Sequence, residues 1–325
     1  MSRAELDLSE LRARLAGAGV TAVAALSGGA SSLTFAGVLA GRRVVIKVAP
    51  PGVEPVAHRD VLRQARILKA LAATSVPVPE VLAEDPGNPP GTPPLYVMSH
   101  IDGDCVEPLF DGGGAFEGLT DRYRNACRAM AALHRLSPTG LGLGGEPVVD
   151  PVAEVHRWSD TLRTVDPELA PGWTAVRDSL LDCAPGAMAP RVVHGDFRLG
   201  NLLAVGSHVS AVIDWEIWSI GDPRIDAGWF LINCDPATYR RVPEAEGVAP
   251  PTADLTDLYQ RELGCEVTDL AWFTALACFK SVATWSLIVK HNRRKRSPRA
   301  ELEAMAATLP RLLVRAGSML NPRNS

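Results

Sequence analysis

Apolar and polar positions along the chain change rhythm near residue 100. Before it, residues 4–16 have the spacing of an amphipathic helix ended by glycines, and "VTAVAALSGGASSLTFAGVL" and "RRVVIKVA" alternate as strands joined at glycine turns. From residue 60 to 73, Val61, Leu62, Ala65, Leu68 and Leu71 form one apolar stripe at helical spacing, followed by strand-like "VPVPEVLAE" and "PLYVMSHI" around the loop "DPGNPPGTPP". After "DGDC" the periods lengthen to helical ones, over 119–136, 151–184 and 270–290. Only "RVVHGD", "NLLAV" and "SAVIDWE" interrupt them as short strands, which predicts a hairpin set among helices. The pattern predicts an α+β protein of two lobes, a β-rich 1–100 and a mainly helical 101–325, divided near residues 99–103.

Composition narrows this little. With 325 residues, 46% of them hydrophobic, the chain can bury a large core. A formal charge of −4 provides no electrostatic case for a nucleic-acid partner. Six cysteines without a CxxC pair suggest neither a zinc site nor a disulfide framework. The charged N-terminal stretch lacks the apolar core of a signal peptide, and a reducing cytoplasm is the expected setting. The apolar run 270–290 approaches the length of a membrane span, but Lys280 sits near its middle; a buried helix of a soluble protein is the expectation, with no membrane partner.

The chemistry concentrates in "HGDFRLGNLL". Asp196 and Asn201 are five residues apart and Asp214 follows thirteen later in "AVIDWE", each at the end of a short apolar strand. Two carboxylates and a carboxamide offer hard oxygen ligands suited to Mg²⁺ shared with substrate phosphates, and one possible base. The competing reading is a pair of Asx turns that merely end strands.

His194, Gly195, Asp196 and Asn201 fit the pattern H-G-D-x-x-x-x-N, and Ile213, Asp214, Trp215 and Glu216 fit a following I-D-W-E. In this pair and order the chain resembles the aminoglycoside-phosphotransferase-like kinases, a branch of the protein-kinase-like fold, over nearly its whole length. The resemblance implies that Asp196 orients and deprotonates an acceptor hydroxyl while Asn201 and Asp214 hold Mg²⁺ against the nucleotide phosphates. Arg198 then either neutralises charge on the transferred phosphoryl group or forms an internal salt bridge. "GDPRIDAGW" also matches, with Asp222 and Asp226 as structural carboxylates that cap the next helix and tie it to the catalytic loop.

The same resemblance assigns ATP or GTP to the N-terminal lobe. Ser27, Gly28, Gly29, Ser31 and Ser32 would let backbone N–H groups approach phosphate, although such a hairpin is common without any ligand. Lys47, alone in the apolar strand "VVIKVA", matches the phosphate-binding lysine. Its usual glutamate partner is replaced by Gln64 in "RQARIL", and Asp60, one turn earlier, is the other possible partner. Ser99 and Ile101 in "LYVMSHIDG" would meet the purine through their backbone.

Three further stretches carry competing readings. "GLGLGG" (140–145) has the letters of a dinucleotide loop but no helix pattern after it. "KHNRRKR" (290–296) reads as a solvated helix end. Trp272, Phe273, Phe279 and Trp285 either pack the core or wall an apolar acceptor pocket beside Trp215 and Trp218. The family's acceptors are small hydroxylated molecules, and the apolar, basic C-terminal stretch speaks against a polycationic one. "ALACFKSVA" looks like helices of the branch linked to acyl-CoA dehydrogenases. The expectation is a small-molecule kinase, with a nucleotide-binding pseudokinase as its alternative because of Gln64; a metal hydrolase would leave Lys47 unexplained.

Overall fold

The computed structural model describes residues 6–26, 32–109, 118–239 and 249–321. In chain order the regular elements are α1 (Leu8–Gly17), β1 (Val20–Ala25), β2 (Leu33–Leu39), β3 (Arg42–Val48), α2 (Val61–Leu71), β4 (Val81–Asp85), β5 (Leu95–Ser99), α3 (Leu119–His134), β6 (Val148–Val149) and α4 (Pro151–Leu162). They continue with α5 (Trp173–Asp182), β7 (Arg191–Val193), β8 (Leu202–Val205), β9 (His208–Val212), β10 (Ser219–Gly221), α6 (Arg224–Cys234), α7 (Thr252–Leu263), α8 (Leu270–Arg293), α9 (Ala300–Glu303) and α10 (Leu309–Leu320). Contacts group them into two compact units, 1–105 with 201–218, and 106–200 with 219–325.

The first unit is built on an antiparallel sheet of order β1-β2-β3-β5-β4. Val44, Ile46 and Val48 of β3 point into a core with Leu11 and Leu15 of α1, Phe35 and Val97. Strand alternation therefore sends Lys47 to the opposite face, at the register of Thr34 and Tyr96. α1 starts where Asp7 accepts the N–H groups of Ser9 and Glu10, and α2 where Asp60 accepts that of Arg63.

The hairpin β8–β9 belongs to this unit and is not set among the helices. Asp104 and Ala204 exchange main-chain hydrogen bonds of 3.0 and 3.1 Å, Val212 N–H donates to Pro77 O at 2.8 Å, and the Ser210 hydroxyl donates to Asp102 O at 2.9 Å. A single cut near residues 99–103 therefore does not describe the division: residues 201–218 return to the N-terminal unit. β7 is separate from that hairpin and pairs with β10 in a three-stranded sheet of order β6-β10-β7.

The second unit packs its helices around α8, whose Phe273, Phe279 and Val282 are fully buried among Ile225, Trp229 and Leu312. α8 is long and apolar enough to span a membrane, yet 72% of its most apolar stretch is buried in the unit, as befits a core helix. Trp272 donates its indole N–H to Leu180 O at 3.0 Å and Phe279 packs against Trp173, so Trp272, Phe273 and Phe279 are core rather than pocket wall, with Trp285 partly buried against them. At the basic end of α8, Arg293 pairs at the surface with Glu303 and Glu168. None of the six cysteines forms a disulfide.

Candidate active site

Within the first unit, β8 and β9 bring Asn201 and Asp214 to the same end of their hairpin, where Ile213 N–H donates to Asn201 O at 2.9 Å. Asn201 is buried. Asp214 takes a left-handed backbone conformation, φ 66°, uncommon for a non-glycine residue and tolerated best by Asp and Asn. Its Oδ1 lies 3.8 Å from Lys47 Nζ. Burial together with the nearby Asp214 charge pushes the Tyr96 phenol up.

Lys47 is thus paired with Asp214, and neither of the two α2 candidates takes that role. Asp60 is occupied as the helix cap. Gln64 is 2% exposed and its Nε2 has no hydrogen-bond partner among the described residues. Ser32 Oγ is also buried without a partner among the described residues. Ser27, Gly28, Gly29 and Ser31 lie outside the described residues. Ser99 is a poor candidate for base contact through its amide, since that N–H donates to Glu80 O at 2.8 Å within the sheet. Ile101 follows the end of β5 and is half-buried.

The donor set here is hard and small: a carboxamide and a carboxylate. No group of three or more His, Cys, Asp or Glu side chains able to hold a metal occurs among the described residues. That set fits Mg²⁺, which keeps water and phosphate oxygens among its ligands, better than a metal caged by protein alone.

In the second unit the chain leaves β7 into a loop held by a buried carboxylate. Asp226, near the start of α6, accepts the main-chain N–H groups of His194 at 2.6 Å and Gly195 at 2.8 Å. Its Oδ2 also lies 3.3 Å from His134 Nε2, whose Nδ1 meets Tyr259 Oη at 2.7 Å. Burial alone would raise the Asp226 carboxyl, but the hydrogen bond from His134, the charges of His134 and His194, and the His194 N–H outweigh it and hold the group below the ordinary carboxylate value. Gly195 sits at φ 87°, where a side chain would be strained. Asp222 accepts the Arg224 N–H at 3.0 Å and pairs with that buried guanidinium at 2.8 Å.

Asp196 itself is one-quarter exposed, and its Oδ1 accepts from the Trp229 indole at 2.7 Å and from Arg198 Nε at 3.0 Å. Arg198 also pairs with Glu107, so the guanidinium bridges two carboxylates. Asp226 is legible in the sequence motif, whereas Trp229, Glu107 and His134 are not. Their local surroundings read as ordinary helix or loop, and only the trailing "W" of "GDPRIDAGW" marked Trp229.

The two units together have the protein-kinase-like fold of the aminoglycoside phosphotransferases. An aminoglycoside phosphotransferase-like protein from Ralstonia eutropha superposes with a TM-score of 0.78 at 24% identity over 98% of this chain and 99% of its own. Aminoglycoside phosphotransferase APH(4)-Ia, solved with ADP and hygromycin B, gives 0.61 at 15% identity over 97% and 99%; macrolide 2′-phosphotransferase type I gives 0.61 at 19% over 95% and 99%. Residues 22–265 match the model of the phosphotransferase enzyme family APH, and the chain belongs to that family. Among curated relatives, mouse acyl-CoA dehydrogenase family member 10 is 32% identical over 62% of this chain, and human acyl-CoA dehydrogenase family member 11 is 28% identical over 73%. The matches span only 19% and 32% of those longer proteins.

Proposed function

We propose that this chain is a small-molecule kinase that transfers the γ-phosphoryl group of ATP or GTP to a hydroxyl of a small acceptor in a Mg²⁺-dependent reaction. The observation that carries the reading is the state of Asp196: an accessible carboxylate oriented by two donors, on a loop locked by Asp226. Such a group accepts the acceptor's proton as the hydroxyl oxygen attacks phosphorus. In this reading Asn201 and Asp214 hold Mg²⁺, which would neutralise charge on the phosphates, and Lys47 leaves Asp214 for a phosphate oxygen. Arg198, engaged by Asp196 and Glu107, aligns the base instead of meeting the phosphoryl group. The higher identity to segments of the two acyl-CoA dehydrogenase family members favours a metabolite over an antibiotic as acceptor.

The test is a mass-spectrometric screen of hydroxylated metabolites and antibiotics for an added phosphate, with Mg²⁺ and either nucleotide. Asp196→Asn is expected to lower turnover by about 10²–10⁴-fold. Tight nucleotide binding with no phosphorylated product across a broad panel would overturn the kinase reading in favour of a nucleotide-binding module.

A further inference from the structure

Lys280, midway along α8, is 4% exposed. Its ammonium donates to the main-chain carbonyl of Gly195, the residue before Asp196. A lysine removed from water is costly unless its charge is answered. Here burial pushes the ammonium pKa down while Asp196, Glu154 and Asp226 pull it back up. Two indoles complete its surroundings: Nζ lies 4.0 Å from the ring centroid of Trp229 and 5.5 Å from that of Trp158, both within cation–π range. Trp158 is oriented by donating to Glu154 Oε2 at 2.8 Å, and Trp229 by donating to Asp196 Oδ1 at 2.7 Å. The same ammonium therefore grips the backbone beside Asp196 and the indole that holds the Asp196 carboxylate.

We infer that Lys280 is a positioning residue: by clamping the Gly195 carbonyl and the Trp229 indole together, it sets the direction in which Asp196 presents its carboxylate. The inference rests on Asp196 as the base. Stability alone is a weak reason for such a group, because an apolar side chain of similar volume fills the site without desolvating a charge. What an apolar side chain cannot do is bind a carbonyl oxygen and a π-face at once. Trp158, turned by Glu154, makes the second wall that keeps the ammonium from swinging away.

The test uses the full chain labelled with ¹⁵N at its tryptophan indoles, with Lys280→Met, Lys280→Arg and Trp229→Phe variants. The Trp229 indole signal is assigned by its loss in Trp229→Phe. In Lys280→Met that N–H is expected to shift and to exchange with solvent about tenfold faster or more, whereas the Trp272 indole, bonded to Leu180, is unchanged. In Mg²⁺-nucleotide turnover, Lys280→Met is expected to lower kcat about 100-fold with KM for nucleotide within about twofold, and Lys280→Arg to regain about tenfold. An unmoved Trp229 indole, or a kcat that survives Lys280→Met, overturns the inference. Should Lys280→Met not fold, Lys280→Arg decides, because it keeps the charge but alters the clamp: a shifted Trp229 indole signal with kcat lowered about tenfold supports the inference, and an unmoved indole with an unchanged kcat overturns it. If the unsubstituted protein turns over no nucleotide, the kinase reading falls, and the indole signals alone decide the role of Lys280.

Discussion

Asp226 is fully buried, yet three groups converge on it: two main-chain N–H groups of the His194–Gly195 turn and His134, whose other ring nitrogen meets Tyr259. Replacing it by Asn removes the charge while keeping the shape, and is expected to cost about 3 kcal/mol, as when one member of a buried charged network is lost. The pH dependence has a definite sign. The folded carboxyl titrates below its unfolded value of 3.8, so its stabilisation is complete above that pH and disappears as the pH falls through the lower folded value. Denaturant titrations of the unsubstituted protein and Asp226→Asn should be furthest apart near neutrality and converge in acid; a constant gap down to about pH 2 would contradict this. Gln64 makes the opposite case, since its buried Nε2 lacks a partner among the described residues. Gln64→Met removes that unsatisfied donor at similar volume and is expected to leave the ligand-free protein equally stable or about 1 kcal/mol more so, read by the same titration.

Between elements, the closest approach that matters for the site is α6 against α8. A Cβ built on Gly228 would lie 2.4 Å from Phe273 O, a backbone atom that cannot step aside without moving α8. Gly228→Ala should therefore separate the two helices at a cost of about 3 kcal/mol, measured by chemical denaturation, and should disturb the neighbouring Trp229 and Asp226 with it. α2 is held in a different way: Arg63 stacks 3.9 Å over Trp218, donates to its carbonyl, and accepts its indole N–H through the main chain at 3.1 Å. In the sequence, the single stripe from Val61 to Leu71 was enough to place that helix, because burial of one face is a periodic signal. Its tie to Trp218 was not legible, because a polar stem against an aromatic ring has no period. The hairpin β8–β9 was read correctly as strands but assigned to the wrong neighbours: its alternation says which face is buried and nothing about which unit covers it.

At the scale of the whole molecule, what was legible is what is contiguous. The candidate base Asp196 and the candidate metal ligands Asn201 and Asp214 fall in one short stretch of sequence, so their spacing was legible there. The supports of the same loop come from far along the chain, Trp229 from 33 residues beyond Asp196 and Lys280 from 85 beyond Gly195, and no local pattern encodes such meetings. The division into units adds a consequence that spacing hid: Lys47, Asn201 and Asp214 all belong to the first unit, Asp196 and its supports to the second. Nucleotide binding and base chemistry should therefore be separable by substitution. Binding to the folded state alone raises stability by RT ln(1 + [L]/Kd), about 2.7 kcal/mol at a hundredfold excess over Kd. In thermal-shift measurements with Mg²⁺ and ATP, Asp196→Asn is expected to keep most of that stabilisation and lose turnover, whereas Lys47→Met or Asp214→Asn loses the stabilisation itself. If Asp196→Asn abolished the shift as completely as Lys47→Met, nucleotide affinity would depend on the second unit as much as on the first, and the assignment of binding to Lys47, Asn201 and Asp214 would fail.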